Sequence, residues 1–287
     1  MLNMTTLLAD ELGRNLSSAF LRSFGSSYQP IAAALDEAAR LVIERLATSD
    51  ALYHNAEHTA LVAQVAQDIL RGLRLRRNIT PEDWLHFIVA ALAHDVWYLR
   101  DVCDGDAGDR QVIDEAGNTV SLPRGASDAH LAPYHVFRSK VIVRKRFEND
   151  PLVDGERVAR AIELTRFPIP HDDDHAETDT EAGLLRAADL IGQLADPLYP
   201  RKLNALFHEF AEIGVNERLG YASPADLAER YPRFFWSKVE PYIGDGIKYL
   251  ELTMEGRHWV AHLYSNVFAI EHHRQHMGPQ FTETNAR

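Results

Sequence analysis

Apolar residues recur along most of this chain at helical spacing, interrupted by short polar or proline-containing turns. No run alternates apolar and polar positions as a half-buried strand does. The pattern predicts an all-α fold. Residues 4–23 and 31–47 read as two amphipathic helices, the second opened by Pro30 just before it. Asn55 can cap a helix running to about Arg76, with Ala60, Leu61, Val65, Ile69 and Leu73 as its apolar stripe. Thr80-Pro81-Glu82-Asp83 marks the next start, Thr80 as cap and the proline in the first turn. That helix has an uncharged run from Phe87 to Ala93 and ends on the pair His94-Asp95.

Further helices are expected over 131–148, over Gly155 to Thr165, and around Leu184 to Leu194, the last stopped by Asp196-Pro197. Four more follow at Pro200 to Val215, Ala225 to Tyr231, Phe234 to Met254 and Gly256 to His276, and Met277 to Arg287 reads as a frayed tail. The 287 residues, 46% hydrophobic, are enough for one large all-α domain, with a core over 50–195 and a helical extension over 198–276. The stretch from Trp97 to Asp128 breaks the periodicity. It is rich in glycine and carries Asp101, Asp104, Asp106, Asp109, Asp114 and Glu115. A loop this long in a compact domain is either functional or a solvated insertion, and its place after His94-Asp95 suggests a lid.

Chemistry concentrates around Tyr53-His54-Asn55-Ala56-Glu57-His58. His54 and His58 are four apart at a helix start, so their imidazoles lie near one another, and one can bind metal while the other stays free. His94 and Asp95 close a buried run, and Asp189 sits inside the apolar helix around Leu184 to Leu194. Burying such groups without a partner costs several kcal/mol, a cost that a divalent cation removes. Two imidazoles and two carboxylates suit a first-row divalent ion or magnesium.

This ordered set resembles the HD-domain metal-dependent phosphohydrolases over roughly residues 50 to 195. The Tyr-His-Asn-x-x-His opening is similar to that of the cyclic nucleotide phosphodiesterases in that superfamily. The resemblance implies that His58, His94, Asp95 and Asp189 are metal ligands and that His54 protonates the leaving oxygen. It further implies one or two divalent ions (Mn, Mg, Fe, Co, Ni or Zn) and a phosphorylated, nucleotide-like small molecule as substrate. Binuclear members take extra histidines from the interval that here holds His130, His135, His171 and His175. The glutamine and aromatic clamp with which the phosphodiesterases grip a purine has no match in the C-terminal half. A di-iron oxygenase on the same fold and a non-catalytic metal- or ligand-binding module are the competing functions.

Substrate-binding candidates are Lys140 and Arg144, which share a helix face, and Arg166, because guanidinium and ammonium groups match phosphate oxygens. Glu57 can orient an imidazole from behind. The net charge of −12 speaks against a nucleic-acid polymer as partner. A lone cysteine, Cys103, rules out an internal disulfide and a thiolate zinc site. No apolar stretch approaches the ~20 residues that span a bilayer, so a cytoplasmic enzyme is expected, with self-association open.

Overall fold

A computed structural model describes residues 3–170 and 172–273; the expected tail, His171 and the last residues of the final predicted helix lie outside them. The fold is predominantly all-α, as the periodicity predicts. In chain order the helices are α1 (Met4–Phe24), α2 (Gln29–Leu46), α3 (Ala56–Arg74) and α4 (Pro81–Ala93). These are followed by α5 (His135–Arg146), α6 (Gly155–Glu163), α7 (Glu181–Leu194), α8 (Tyr199–Glu212), α9 (Val215–Leu219), α10 (Pro224–Phe234), α11 (Glu240–Leu250) and α12 (Met254–His273). Among the described residues no helix is long and apolar enough to cross a membrane.

The helix starts follow from their caps. The Asn55 side chain accepts from the backbone N–H groups of Glu57 and His58, which fixes the first turn of α3. Thr80 and Asp83 form a reciprocal capping box at α4, with Pro81 in the first turn. α3 is buried on most of its circumference, and α4 is buried from Trp84 to Ala93, which accounts for the unbroken apolar run from Phe87 to Ala93. One apolar core extends from Ala9 in α1 to Val267 in α12, so the helices beyond residue 198 pack into the same interior as the rest. Between α10 and α11 the chain takes a π-helical turn at Phe235–Val239. Pro232 and Pro241 flank it, and each lacks the N–H that an unbroken α-helix needs there.

The position of two ligand candidates depends on one small residue. A Cβ on Gly192 of α7 would lie 2.9 Å from Val62 Cα on α3, so only glycine lets the helices approach this closely. His58 lies one turn before Val62 and Asp189 one turn before Gly192, and the two side chains meet there.

The 97–128 segment departs from a structureless loop. It contains a 3-10 turn at Val96–Tyr98 and a short antiparallel hairpin, β1 (Arg110–Val112) with β2 (Thr119–Ser121), in the register Arg110↔Ser121, Gln111↔Val120 and Val112↔Thr119. Strands of three residues are too short to display alternation. The buried Arg138 of α5 fastens the segment down, donating to Asp106 (2.9 and 3.2 Å) and to the carbonyls of Leu99 (2.9 Å) and Val112 (2.6 Å). Asp106 in turn accepts from the backbone N–H groups of Val102, Cys103 and Val112. What reaches the histidines is the start of the segment, where Tyr98 stacks on His54.

Candidate metal centre

His58, from the first turn of α3, and His94 with Asp95, from the end of α4, form a buried group whose ligand atoms lie within 4.8 Å of one another. His58 Nε2 is 3.2 Å from Asp95 Oδ2 and 3.4 Å from Asp189 Oδ1. His94 Nε2 is 3.3 Å from Asp95 Oδ2 and 3.5 Å from Asp189 Oδ1. Asp189 thus reaches both imidazoles from α7 but stands outside the tighter group of three. Ligand atoms about 2.1 Å from one cation lie about 3.0 to 3.4 Å apart along a coordination edge, close to these spacings.

The tautomers support the same geometry. His94 donates Nδ1–H to the carbonyl of Ala91 at 2.8 Å, which turns Nε2 toward the acids, where a cation would take the place of its proton. Both ring nitrogens of His58 and Nε2 of His94 are buried without a well-directed hydrogen bond. His86 on the same helix as His94 shows the contrast: it donates to Glu82 O (2.7 Å) and accepts from Asp154 N–H (2.8 Å), and is structurally satisfied. Buried imidazole nitrogens left without partners are costly, so the four residues fit a divalent cation. Burial disfavours charge on His94, Asp95 and Asp189, yet their proximity wins. His94 is held well above the usual imidazole value by Asp95 and Asp189, and both acids are held well below the carboxylate range by His94 and His58.

His54 stands beside this group, its ring centroid 5.4 Å from that of His58. It donates Nδ1–H to Glu209 Oε2 at 2.6 Å, while Glu209 Oε1 accepts from the backbone N–H groups of Tyr53 (2.7 Å) and His54 (3.2 Å). Burial alone would lower the His54 pKa, but the charge and hydrogen bond of Glu209, with Asp95 and Asp189 behind them, raise it from 6.5 to about 9. On the other face His54 stacks on Tyr98 (4.8 Å, 8°), and Tyr98 stacks on His135 (5.5 Å, 23°). His135 donates Nδ1–H to Ala132 O, and burial pushes its pKa down. The side chains of His94, His58 and Asp95 are at most 5% exposed, whereas His54 is 17% and Asp189 18% exposed, so the centre opens to solvent along the His54–Asp189 edge.

Several expectations change. Glu57 is half exposed and pairs with Lys202 (2.9 Å), so Glu209 of α8 is the acid that orients an imidazole. A signal for it existed in the sequence: Leu203, Leu206 and Glu209 recur every three residues on the buried face of α8, and an acid on an apolar face calls for a partner. Arg144 is not available to a ligand, because Glu156 holds it in a two-point pair (2.6 and 3.0 Å) with Glu115 close by. Lys140 and Arg166 both reach Glu163. Arg186, one turn before Asp189, donates to the carbonyls of His175 and Glu177. Among the described residues, neither His130 nor His175 joins a metal-holding group with the four ligand candidates.

Compared with curated proteins and with solved structures, the chain matches none. One family model matches residues 2–273, a span that takes in every residue of the centre, and the chain belongs to the Npun_R2479-like family.

Proposed function

We propose that the protein is a metal-dependent phosphohydrolase that cleaves a phosphomonoester or phosphodiester of a small, nucleotide-like molecule. The observation that carries this is the buried convergence of His58, His94, Asp95 and Asp189, with imidazole nitrogens that lack well-directed hydrogen bonds, beside a separate histidine held by an acid. His58, His94, Asp95 and Asp189 would hold a divalent cation, which when bound would supply a water of lowered pKa and polarisation of a phosphoryl oxygen. The two carboxylates contribute the negative charge that retains the cation.

His54 has a different role. Its Nδ1 proton is engaged by Glu209, so Nε2 carries the transferable proton, and the raised pKa keeps the ring charged at neutral pH. A protonated imidazole at the solvent-open edge is suited to give its proton to a departing oxygen. Tyr98, stacked on the ring, and Glu209, which also binds the backbone at residues 53 and 54, hold its orientation. The resemblance of the opening motif to phosphodiesterases agrees with this division between ligand and acid.

Two variants test the assignment. His54→Ala should retain the metal and lose at least ~100-fold in the rate of phosphate-ester hydrolysis. Asp95→Ala should lose metal and activity together. Full activity of His54→Ala, or unchanged metal content of Asp95→Ala, would refute the assigned roles. Iron-dependent oxygen consumption without phosphate release would favour the oxygenase instead.

A further inference from the structure

The ion-paired basic side chains of α5, α6 and the turn after α6 fall into two groups. Arg138 is taken up by Asp106 and carbonyl oxygens, Arg144 by Glu156 and Glu115, Lys145 by Asp104, and Arg157 by Glu181 and Asp83. Lys140 and Arg166 instead share the single carboxylate of Glu163. Lys140 Nζ lies 2.6 Å from Oε2, and Arg166 Nε and Nη2 lie 3.0 and 2.7 Å from Oε1. Lys140, Arg166 and Glu163 together carry a formal charge of +1, which Asp172, held by His175, balances while that imidazole is neutral. Lysine has three N–H donors and arginine five, so both keep donors beyond those that Glu163 accepts.

A third residue completes the cluster. His175 is 9% exposed, and its Nδ1–H donates to Asp172 Oδ1 at 2.6 Å. Its Nε2 is buried with no hydrogen-bond partner, 4.0 Å from Glu163 Oε1. A buried ring nitrogen in that state is costly and marks the place of a missing partner. Monohydrogen phosphate suits it in either protonation state, since its O–H can donate to Nε2 and its oxygens can accept from an imidazolium. The side chains of Lys140, Glu163 and Arg166 are between 23% and 38% exposed, shielded enough to strengthen charged hydrogen bonds and open enough for a ligand to reach.

Two hydrogen bonds link the segments that carry the cluster to those that carry the metal centre. Ser139, the residue before Lys140, donates its hydroxyl to the carbonyl of the ligand candidate His94 at 2.7 Å. Arg186, one turn before Asp189 on α7, holds the carbonyl of His175 at 2.7 Å.

We infer that Lys140, Arg166 and His175, arranged around Glu163, form an anion-binding subsite that takes a second phosphoryl or carboxylate group of the substrate. Its use by a substrate rests on the phosphohydrolase reading above; its capacity to bind an anion does not. The substrate class that follows is a small phosphate ester with a second, separated anionic group. Glu163 holds both cations in place, and their remaining N–H donors, with Nε2 of His175, are left for the ligand.

The test uses the full-length protein stripped of metal by chelation, so that the metal centre cannot hold the probe. It is titrated with inorganic phosphate, followed by 31P NMR and calorimetry. Saturable binding at one site is expected, weakened at least ~10-fold in Lys140→Ala and in Arg166→Ala. It should be unchanged in Arg144→Ala and intermediate in Arg166→Lys, which keeps the charge and loses the fork. Thermal unfolding of each variant checks the fold. Absence of saturable binding to the parent protein overturns the inference, as does equal binding by the Lys140 and Arg166 variants, which would make the cluster purely structural. A metal-loaded protein that turns over no phosphate ester would count against the hydrolase reading and leave this result standing.

Discussion

Replacing Glu209 with glutamine removes a charge from behind His54 and preserves an oxygen that can still accept from the backbone N–H groups of Tyr53 and His54. The displacement of His54 from 6.5 to about 9 amounts to about 3 kcal/mol in favour of the imidazolium. Glu209 is the largest favourable contributor, and burial opposes it, so the variant's His54 should titrate at least about 2 pH units lower. At pH 8 the parent ring is then about nine-tenths protonated and the variant ring less than about one-tenth, a roughly 10-fold fall in the acid form. The metal-free protein gives the cleanest measurement, by NMR titration of the His54 ring, because a bound dication offsets Asp95 and Asp189. In the metal-loaded protein the same change should move the basic limb of the pH–rate profile to lower pH. Stability carries the same sign. The folded pKa lies above the unfolded 6.5, so the pair's contribution is complete below 6.5 and is lost as pH rises through about 9. An unchanged His54 titration in Glu209→Gln would refute the assignment of Glu209 as the residue that charges the acid.

Other perturbations probe the scaffold. Gly192→Ala places a Cβ 2.9 Å from Val62 Cα and so forces α7 away from α3 by a few tenths of an ångström. Because ligand distances tolerate only about 0.2 Å, metal affinity should fall by roughly 10-fold, and calorimetry showing parent affinity would contradict the proposed role of that close approach. Arg138→Met leaves the Asp106 carboxylate and the carbonyls of Leu99 and Val112 without their partner, a loss of about 3–5 kcal/mol where the segment cannot open. Local opening should relieve it, giving faster proteolysis and hydrogen exchange across residues 99–122 with the helical core still protected; unchanged protection there would refute the tether.

The helices were legible because their signals are local. Asn55, Thr80 and the apolar runs of α3 and α4 specify caps and buried faces within a few residues. His54, His58, His94, Asp95 and Asp189 were legible as candidates because polar groups at apolar positions need partners, and the structure brings four of them within hydrogen-bonding or coordination range. The hairpin escaped because three-residue strands carry no period, and its anchor is a long-range pairing of Asp106 with Arg138. Glu209 lies 155 residues from His54, and nothing near either residue announces the other. Lys140, Arg144 and Arg166 looked alike in sequence; the acids that reach them from elsewhere in the fold set them apart.

A single titration tests whether hydrolysis depends on the bound metal. Metal-stripped protein receives manganese in steps, with bound ion and hydrolysis of p-nitrophenyl phosphate and bis(p-nitrophenyl) phosphate measured on the same samples. Hydrolysis should be absent at the start, rise in proportion to the ion bound, and stay absent in Asp95→Ala. An ion bound tightly by the parent protein with no hydrolysis, or hydrolysis that persists in the stripped protein, would contradict a metal-dependent phosphohydrolase.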